Sequence, residues 1–420
     1  MHDDRKLFST HRLSNGVTVY SHAMDVPYFS IHVIAPVGSA HSHGGNPGGR
    51  MGMAHFMEHT IFHRSKMHPE KGSFEKLIAL KGGYWNAATG PRATDIHLTV
   101  ALDAQQEAID GLLSHLLHPI ITEDDLATER GIVRNERDQR RYYPSDSEEG
   151  RYLDLEWMHT QWYSREQLFG SDEDLEAMTP DSVHAFLRHY ASNNLRVVIG
   201  GGHRLAPVLE AFAAIPTEAL TLSEQVEPVR WVNRAYHEKA FRDVGTPTYH
   251  LGSLTPSCDF QEAYALRFML GFLANYVHGP LYEWLRKENG WTYGIEYGTS
   301  AAQDRTEGIL RIPLNTAEAI PIIREEIHGR IRAALADTTL VASEVARRNH
   351  ERLFHYQTLD ERLFEAVSEL ENHERIVTEA EYRRMNEQFT DTTLLTKAYE
   401  TYLAPDVAGE VVLLPLADAD

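Results

Sequence analysis

The chain has 420 residues, 42% of them apolar and 24% charged, enough for two or three domains that each bury a core. Its 61 acidic residues against 40 Lys and Arg leave a formal charge of −21, which excludes nucleic acid and anionic membrane as general partners because such a surface repels phosphate. No apolar run reaches the roughly 18 residues of a spanning helix, and Met1 to Lys6 lacks the apolar stretch of a secretory signal, so a cytoplasmic protein is expected. The single cysteine, Cys258, excludes an intrachain disulfide and a cysteine-cluster metal site; 24 histidines leave His and carboxylates as the metal donors available.

In chain order, Asn15-Gly16 between Arg12-Leu13 and Val17-Thr18-Val19-Tyr20 predicts a hairpin. Residues 29–35 (FSIHVIA) read as a buried strand, and 44–49 (GGNPGG) as a loop. Helices are predicted over 51–62 and 73–80, the second closed by Gly82-Gly83. Residues 94–102 alternate as a strand, and 104–117 repeat Ile109, Leu112, Leu113 and Leu116 at helical spacing. Thr122 and Asp125 come close to a capping box ahead of a helix that runs to about 141, and Thr179-Pro180 opens another. Residues 194–199 read as a buried strand ending in Gly200-Gly201-Gly202.

The second half repeats this order. Strands are predicted over 231–237 and 248–254, helices over 260–277 and 281–288, and strands over 292–298 and 308–314. Helices over 317–336 and 342–354 follow, with a last strand over 409–414. The fold class expected is α+β: two duplicated domains, each a mainly antiparallel sheet packed with helices, divided as 1–222 and 223–420 where periodicity fades across 216–228.

His55-Phe56-Met57-Glu58-His59 is an H-x-x-E-H sequence on the helix of 51–62. Residues four apart on a helix lie on one face about 6 Å apart, so both imidazoles can reach one ion. Glu58 borders that face as a carboxylate placed to take a proton from water at the metal. Catalytic zinc wants three protein ligands and an open position, so a third ligand must come from elsewhere. The neighbours Met53, Ala54, Phe56, Met57, Ile61 and Phe62 predict a mostly buried helix, where three polar side chains need a reason such as a metal. His-Glu pairs at 237–238, 350–351 and 373–374 lack a second histidine four residues on and read as solvated.

Gly52 to His59, followed by Phe62, resembles the signature of the inverted-zincin peptidases, the family of pitrilysin, insulin-degrading enzyme and the mitochondrial processing peptidase. The resemblance implies a glutamate ligand about 77 residues after the second histidine, where Glu136 stands, and a further glutamate seven residues earlier, where Glu129 stands. It thus implies one Zn2+ per chain on His55, His59 and Glu136, with Glu58 as general base and Glu129 orienting a ligand. Gly82 to Thr89 resembles the family's segment leading to the strand that pairs with the substrate backbone, which implies substrate contacts from Asn86, Ala87 and Thr89. Arg286 and Tyr293 resemble the family's C-terminal Arg and Tyr, which hold substrate and stabilise the oxyanion.

In this family the catalytic chamber takes four such domains, and this chain supplies two. The resemblance therefore implies two chains forming a clamshell chamber, either a homodimer in which Arg286 and Tyr293 complete the partner's site, or a heterodimer with a related subunit. The implied activity is zinc-dependent endopeptidase hydrolysis of short or unfolded peptides inside that chamber. The alternatives are a processing or pathway-specific peptidase acting with a second subunit, and a non-catalytic structural homologue. Two departures from the family pattern are visible. The loop 41–49 is rich in His and Gly and reads as a mobile surface loop in preference to a second metal site on His41 and His43. His63-Arg64-Ser65 stands where Lys-Gly-Thr is frequent.

Overall fold

The computed structural model describes residues 7–139, 158–159, 168–219, 221–225, 230–231, 235–242, 244–256, 258–301, 305–352, 354 and 358–416. Contacts divide these into two units. The first holds the described residues of 1–140, 162–227 and 356–376; the second holds those of 141–161, 228–355 and 377–420.

In the first unit, the Asn15-Gly16 turn joins β1 (Ser9–Arg12) to β2 (Thr18–Ala23) in antiparallel register, with Gly16 at a φ of 93° that disfavours a Cβ. With β3 (Tyr28–Ala35), β4 (Tyr84–Thr89), β5 (Thr94–Ala101) and β6 (Arg196–Gly201) they form a six-stranded sheet of order β1-β2-β6-β3-β5-β4. Alternation along the strands sends Ile31, Val33, Ile96 and Leu98 into one core with α1 (Met53–Ile61), α2 (Ser73–Leu80), α3 (Gln105–Leu117) and α4 (Glu123–Gln139). The opposite face packs Ile34 and Val198 against Leu359, Leu363 and Leu370 of the helix Leu359–His373.

The second unit carries β7 (His237–Phe241), β8 (Thr248–Pro256), β9 (Glu296–Ala301), β10 (Arg305–Pro313) and β11 (Gly409–Pro415), in the order β9-β10-β8-β11-β7. Taken in chain order, these strands pair as β2, β3, β4, β5 and β6 do, and in both sheets only the first and last of the five are parallel to each other. The duplication expected from element order is thus repeated in strand pairing.

Several boundaries shift. The strand expected over 231–237 is His237–Phe241, preceded by a two-residue pairing of Arg230–Trp231 with Met158–His159; residues 232–234 lie outside the described residues, as does the end of α4 expected at 141. The strand expected from 292 begins at Glu296, because the Thr292 hydroxyl is held by the carbonyls of Gly294 and Pro313 in a turn. The helix expected over 281–288 is a short α segment, Pro280–Tyr282, running into a π-helical turn, Glu283–Glu288. The helices Leu359–His373, Glu379–Gln388 and Thr392–Tyr402 have no counterpart in the sequence reading, although Thr358 with Glu361 and Thr378 with Glu381 open the first two with capping boxes. Among the described residues, no helix is long and apolar enough to cross a membrane.

Candidate active site

α1 enters the core through Gly52, whose φ is 81° and whose added Cβ would lie 2.6 Å from the Phe169 carbonyl group, so only glycine permits this entry. Ser42 Oγ accepts from the Ala54 amide at 2.9 Å and Tyr190 donates to the Ala54 carbonyl at 3.3 Å, which fixes the first turn. Met53, Phe56 and Met57 then point into the core and leave His55, Glu58 and His59 to line its edge. The Phe169 ring stands edge-on to His55, with centroids 5.0 Å apart.

α4 brings the acidic partners. Its start is capped by Thr122 and Asp125, each bonding the other's amide. Seven residues make about two turns, so Glu129 and Glu136 share a face. Arg130, Arg134 and Arg137 point elsewhere and anchor the helix. Arg130 donates to the carbonyls of Leu175 and Met178, Arg134 to Glu176, and Arg137 to Asp172.

The result is a compact donor set. Glu136 Oε2 lies 3.4 Å from His55 Nε2 and 3.3 Å from His59 Nε2. A tetrahedral ion with bonds of 2.0–2.1 Å holds its ligand atoms about 3.3 Å apart. These two contacts therefore have the length that one zinc ion requires, and the three donor atoms all lie within 4.8 Å of one another. Glu129 Oε2 accepts from His59 Nδ1 at 3.1 Å, which directs the other ring nitrogen, Nε2, toward the donor triangle. The second oxygen of Glu129 is 2.6 Å from His63 Nε2, and His63 Nδ1 is 3.2 Å from Asp125. Burial pulls the His59 pKa down, but the carboxylates of Glu129, Glu136 and Glu58 outweigh it and raise it to about 9. Burial pushes Glu129 up, but His59 and His63 overcome it and hold the acid at about 2. Glu58 is pushed up by burial, against a hydrogen bond that its Oε2 accepts from Thr89 Oγ1 at 2.5 Å.

Asn86, Ala87 and Thr89 lie on β4, which among the described residues pairs only with β5 and so forms one edge of the sheet. Thr89, expected to touch substrate, spends its hydroxyl on Glu58. A cleft of about 380 Å3 opens beside them, lined by Glu58, His59, Phe62, Lys71, Trp85 and Asn86 among others. Arg286 and Tyr293 belong to the second unit, not to this site's unit. There the guanidinium carbon lies 5.2 Å from the centroid of the tyrosine ring, and Tyr293 is 83% exposed. His41 is buried, with Nδ1 accepting from the Gly38 amide, and His43 Nε2 bonds the Ser223 carbonyl; neither joins a metal-type cluster among the described residues. His63 and Asp125 extend the site beyond the residues expected, and the signal in the sequence was the departure at His63-Arg64.

Two family models match the chain: "Insulinase (Peptidase family M16)" over residues 18–164 and "Peptidase M16 inactive domain" over residues 177–335. An uncharacterized zinc protease of Rickettsia bellii is 23% identical over 337 residues, 77% of each chain. Insulin-degrading enzyme-like 2 of Arabidopsis thaliana is 34% identical over 102 residues; the match takes in 24% of this chain and only 10% of that relative. Among solved structures, the periplasmic protease PqqL of Escherichia coli has the same fold, with a TM-score of 0.79 at 14% identity. The chain is covered to 99% in that comparison and spans about half, 49%, of PqqL.

Proposed function

The chain belongs to the insulinase peptidase family M16, and from that premise we propose that it is a zinc-dependent endopeptidase acting on short or unfolded peptides. The observation that carries this reading is the donor triangle of His55, His59 and Glu136, with half-buried Glu58 on the same helix and the open edge of β4 ending at Glu58.

When bound there, zinc supplies Lewis acidity toward the scissile carbonyl and lowers the pKa of the attacking water. Glu58 takes the proton of that water and returns it to the leaving amine; its burial raises its basicity, which suits the task. Thr89 holds one Glu58 oxygen and so sets the direction of the other. Glu129 keeps His59 in the tautomer and rotation that a ligand needs. β4 offers unpaired main-chain groups to an extended peptide, and affinity gained this way demands little of the substrate's side chains. The second unit's helix Phe260–Ala274, in the place that α1 occupies in the first, has no histidine. Of these two helices, α1 alone supplies such a histidine pair, and we propose that two chains close a chamber in which Arg286 and Tyr293 of each serve the partner's triad. The match to one half, 49%, of PqqL supports a chamber that needs a second pair of domains.

The test is hydrolysis of an unstructured peptide of about 20 residues by the zinc-loaded protein, followed by mass. Glu58→Gln is expected to keep zinc and lower the rate by about 100-fold or more. A variant that holds zinc and cuts as fast as the parent would remove Glu58 from the mechanism. Mixing Glu58→Gln with Arg286→Ala subunits is expected to recover part of the activity; none, with exchange of subunits demonstrated, would refute completion in trans.

A further inference from the structure

A second group of metal-type donors lies on the face of the first sheet opposite α1. β3 carries His32, and β5 carries Asp95 and His97. The β3–β5 register sets His32 directly across from His97, and alternation puts Asp95 on the same face. All three are buried, at 2%, 6% and 8% exposed. His32 Nδ1 lies 2.9 Å and His97 Nδ1 3.1 Å from one and the same oxygen, Asp95 Oδ2. The rings stack at 4.9 Å and 24°, and Phe364 of the helix Leu359–His373 sets its ring edge-on to both, 4.8 and 5.4 Å away.

A buried carboxylate needs a counter-charge. Among the described residues, the ion-pair partners of Asp95 are these two imidazoles, with no Lys or Arg. A proton on one ring would supply the charge from that ring alone. A divalent ion supplies it while engaging one nitrogen of each ring. The contacts to Asp95 Oδ2, 2.9 and 3.1 Å, are shorter than the 3.4 and 3.3 Å contacts to Glu136 Oε2, so a modest outward shift of the two rings admits an ion, and the donor atoms lie within 4.8 Å of one another in both groups. Two imidazoles and one carboxylate suit borderline ions such as zinc, whereas Ca2+ and Mg2+ take oxygen ligands.

We propose that His32, Asp95 and His97 form a second Zn2+ site, which clips β3 to β5 beneath Phe364. His97 is also paired with Asn86 of β4, so the clip stiffens the sheet next to its open edge. The proposal does not depend on the peptidase reading. It is tested on the full chain, loaded with Zn2+, dialysed and assayed by mass spectrometry of the metal. The wild type is expected to hold two zinc ions per chain. His55→Ala with His59→Ala is expected to hold one, and adding His32→Ala with His97→Ala to hold none. In the His55→Ala, His59→Ala protein, Zn2+ is expected to raise the melting temperature, and Asp95→Asn to abolish that rise. One ion in the wild type and none after His55→Ala with His59→Ala overturns the proposal, as does a second ion that survives His32→Ala with His97→Ala. Should the fourfold variant fail to fold, the first two stoichiometries still decide.

Discussion

In the metal-free protein at neutral pH the His59 imidazole carries a proton, because Glu129, Glu136 and Glu58 raise its pKa to about 9 against the pull of burial. A ligand imidazole must be neutral, so zinc uptake has to displace that proton. The expected outcome is release of close to one proton per ion at pH 7 from His59, with apparent affinity rising about tenfold per pH unit toward pH 9. Calorimetry in buffers of different ionisation enthalpy measures it; uptake without proton release would place the carboxylates' influence elsewhere. The second residue-scale prediction concerns His63. It holds one Glu129 oxygen while His59 takes the other. His63→Ala should weaken zinc by roughly 10- to 100-fold in competition with a chromogenic chelator. His63→Gln keeps a donor for Glu129 and should recover part of the loss.

α1 depends on what happens at its two ends. At the first, Gly52→Ala forces a Cβ into a left-handed conformation and against Phe169. That costs at least about 1 kcal/mol, and thermal denaturation should register it as a drop of a few degrees. At the last, the Ile61 carbonyl lies 2.7 Å from His115 Nδ1 of α3. His115 is 1% exposed and packs among Phe74, Trp85 and His68, so burial lowers its pKa to about 4. Between that pKa and the ordinary one near 6.5 the unfolded chain binds the extra proton, so stability rises with pH through this window. It is complete above about pH 6.5 and lost as pH falls toward 4, by an amount on the order of 3 kcal/mol. Urea unfolding at pH 4.5, 5.5 and 7 should show this slope, and His115→Gln should flatten it; an equal slope in the variant would assign it to other groups.

The first unit is not made by one end of the chain alone. The helix Leu359–His373 covers Ile34 and Val198, and Arg196 donates to its Leu370 carbonyl at 2.6 Å. A fragment of residues 1–222 would expose that apolar face. It is expected to bind a hydrophobic dye and aggregate, and addition of a peptide of residues 356–376 should suppress both. A fragment that stays monomeric and dye-free would show the helix to be dispensable. The two units share their strand pairing, yet only α1 carries the histidine pair. A duplicated fold has therefore kept one scaffold and given its two copies different side chains.

Much of this was legible in the residues. The H-x-x-E-H pair needs only helical spacing, the Asn15-Gly16 hairpin only its turn, the end of α2 only its glycines and the start of α4 only its cap, all decided within a few residues. A mostly apolar, β-rich run likewise identified β3 as a strand, and alternation identified β5. Tertiary structure alone decided which oxygen meets which nitrogen. His59 and Glu129 are 70 positions apart, His63 and Glu129 66, and His32 and Asp95 63. Such pairs meet only when helix packing or strand register brings them together, and a slip of one residue in the β3–β5 register would turn His32 and His97 to opposite faces. What the helix Leu359–His373 packs on was hidden for the same reason: its apolar stripe meets a sheet built by the other end of the chain.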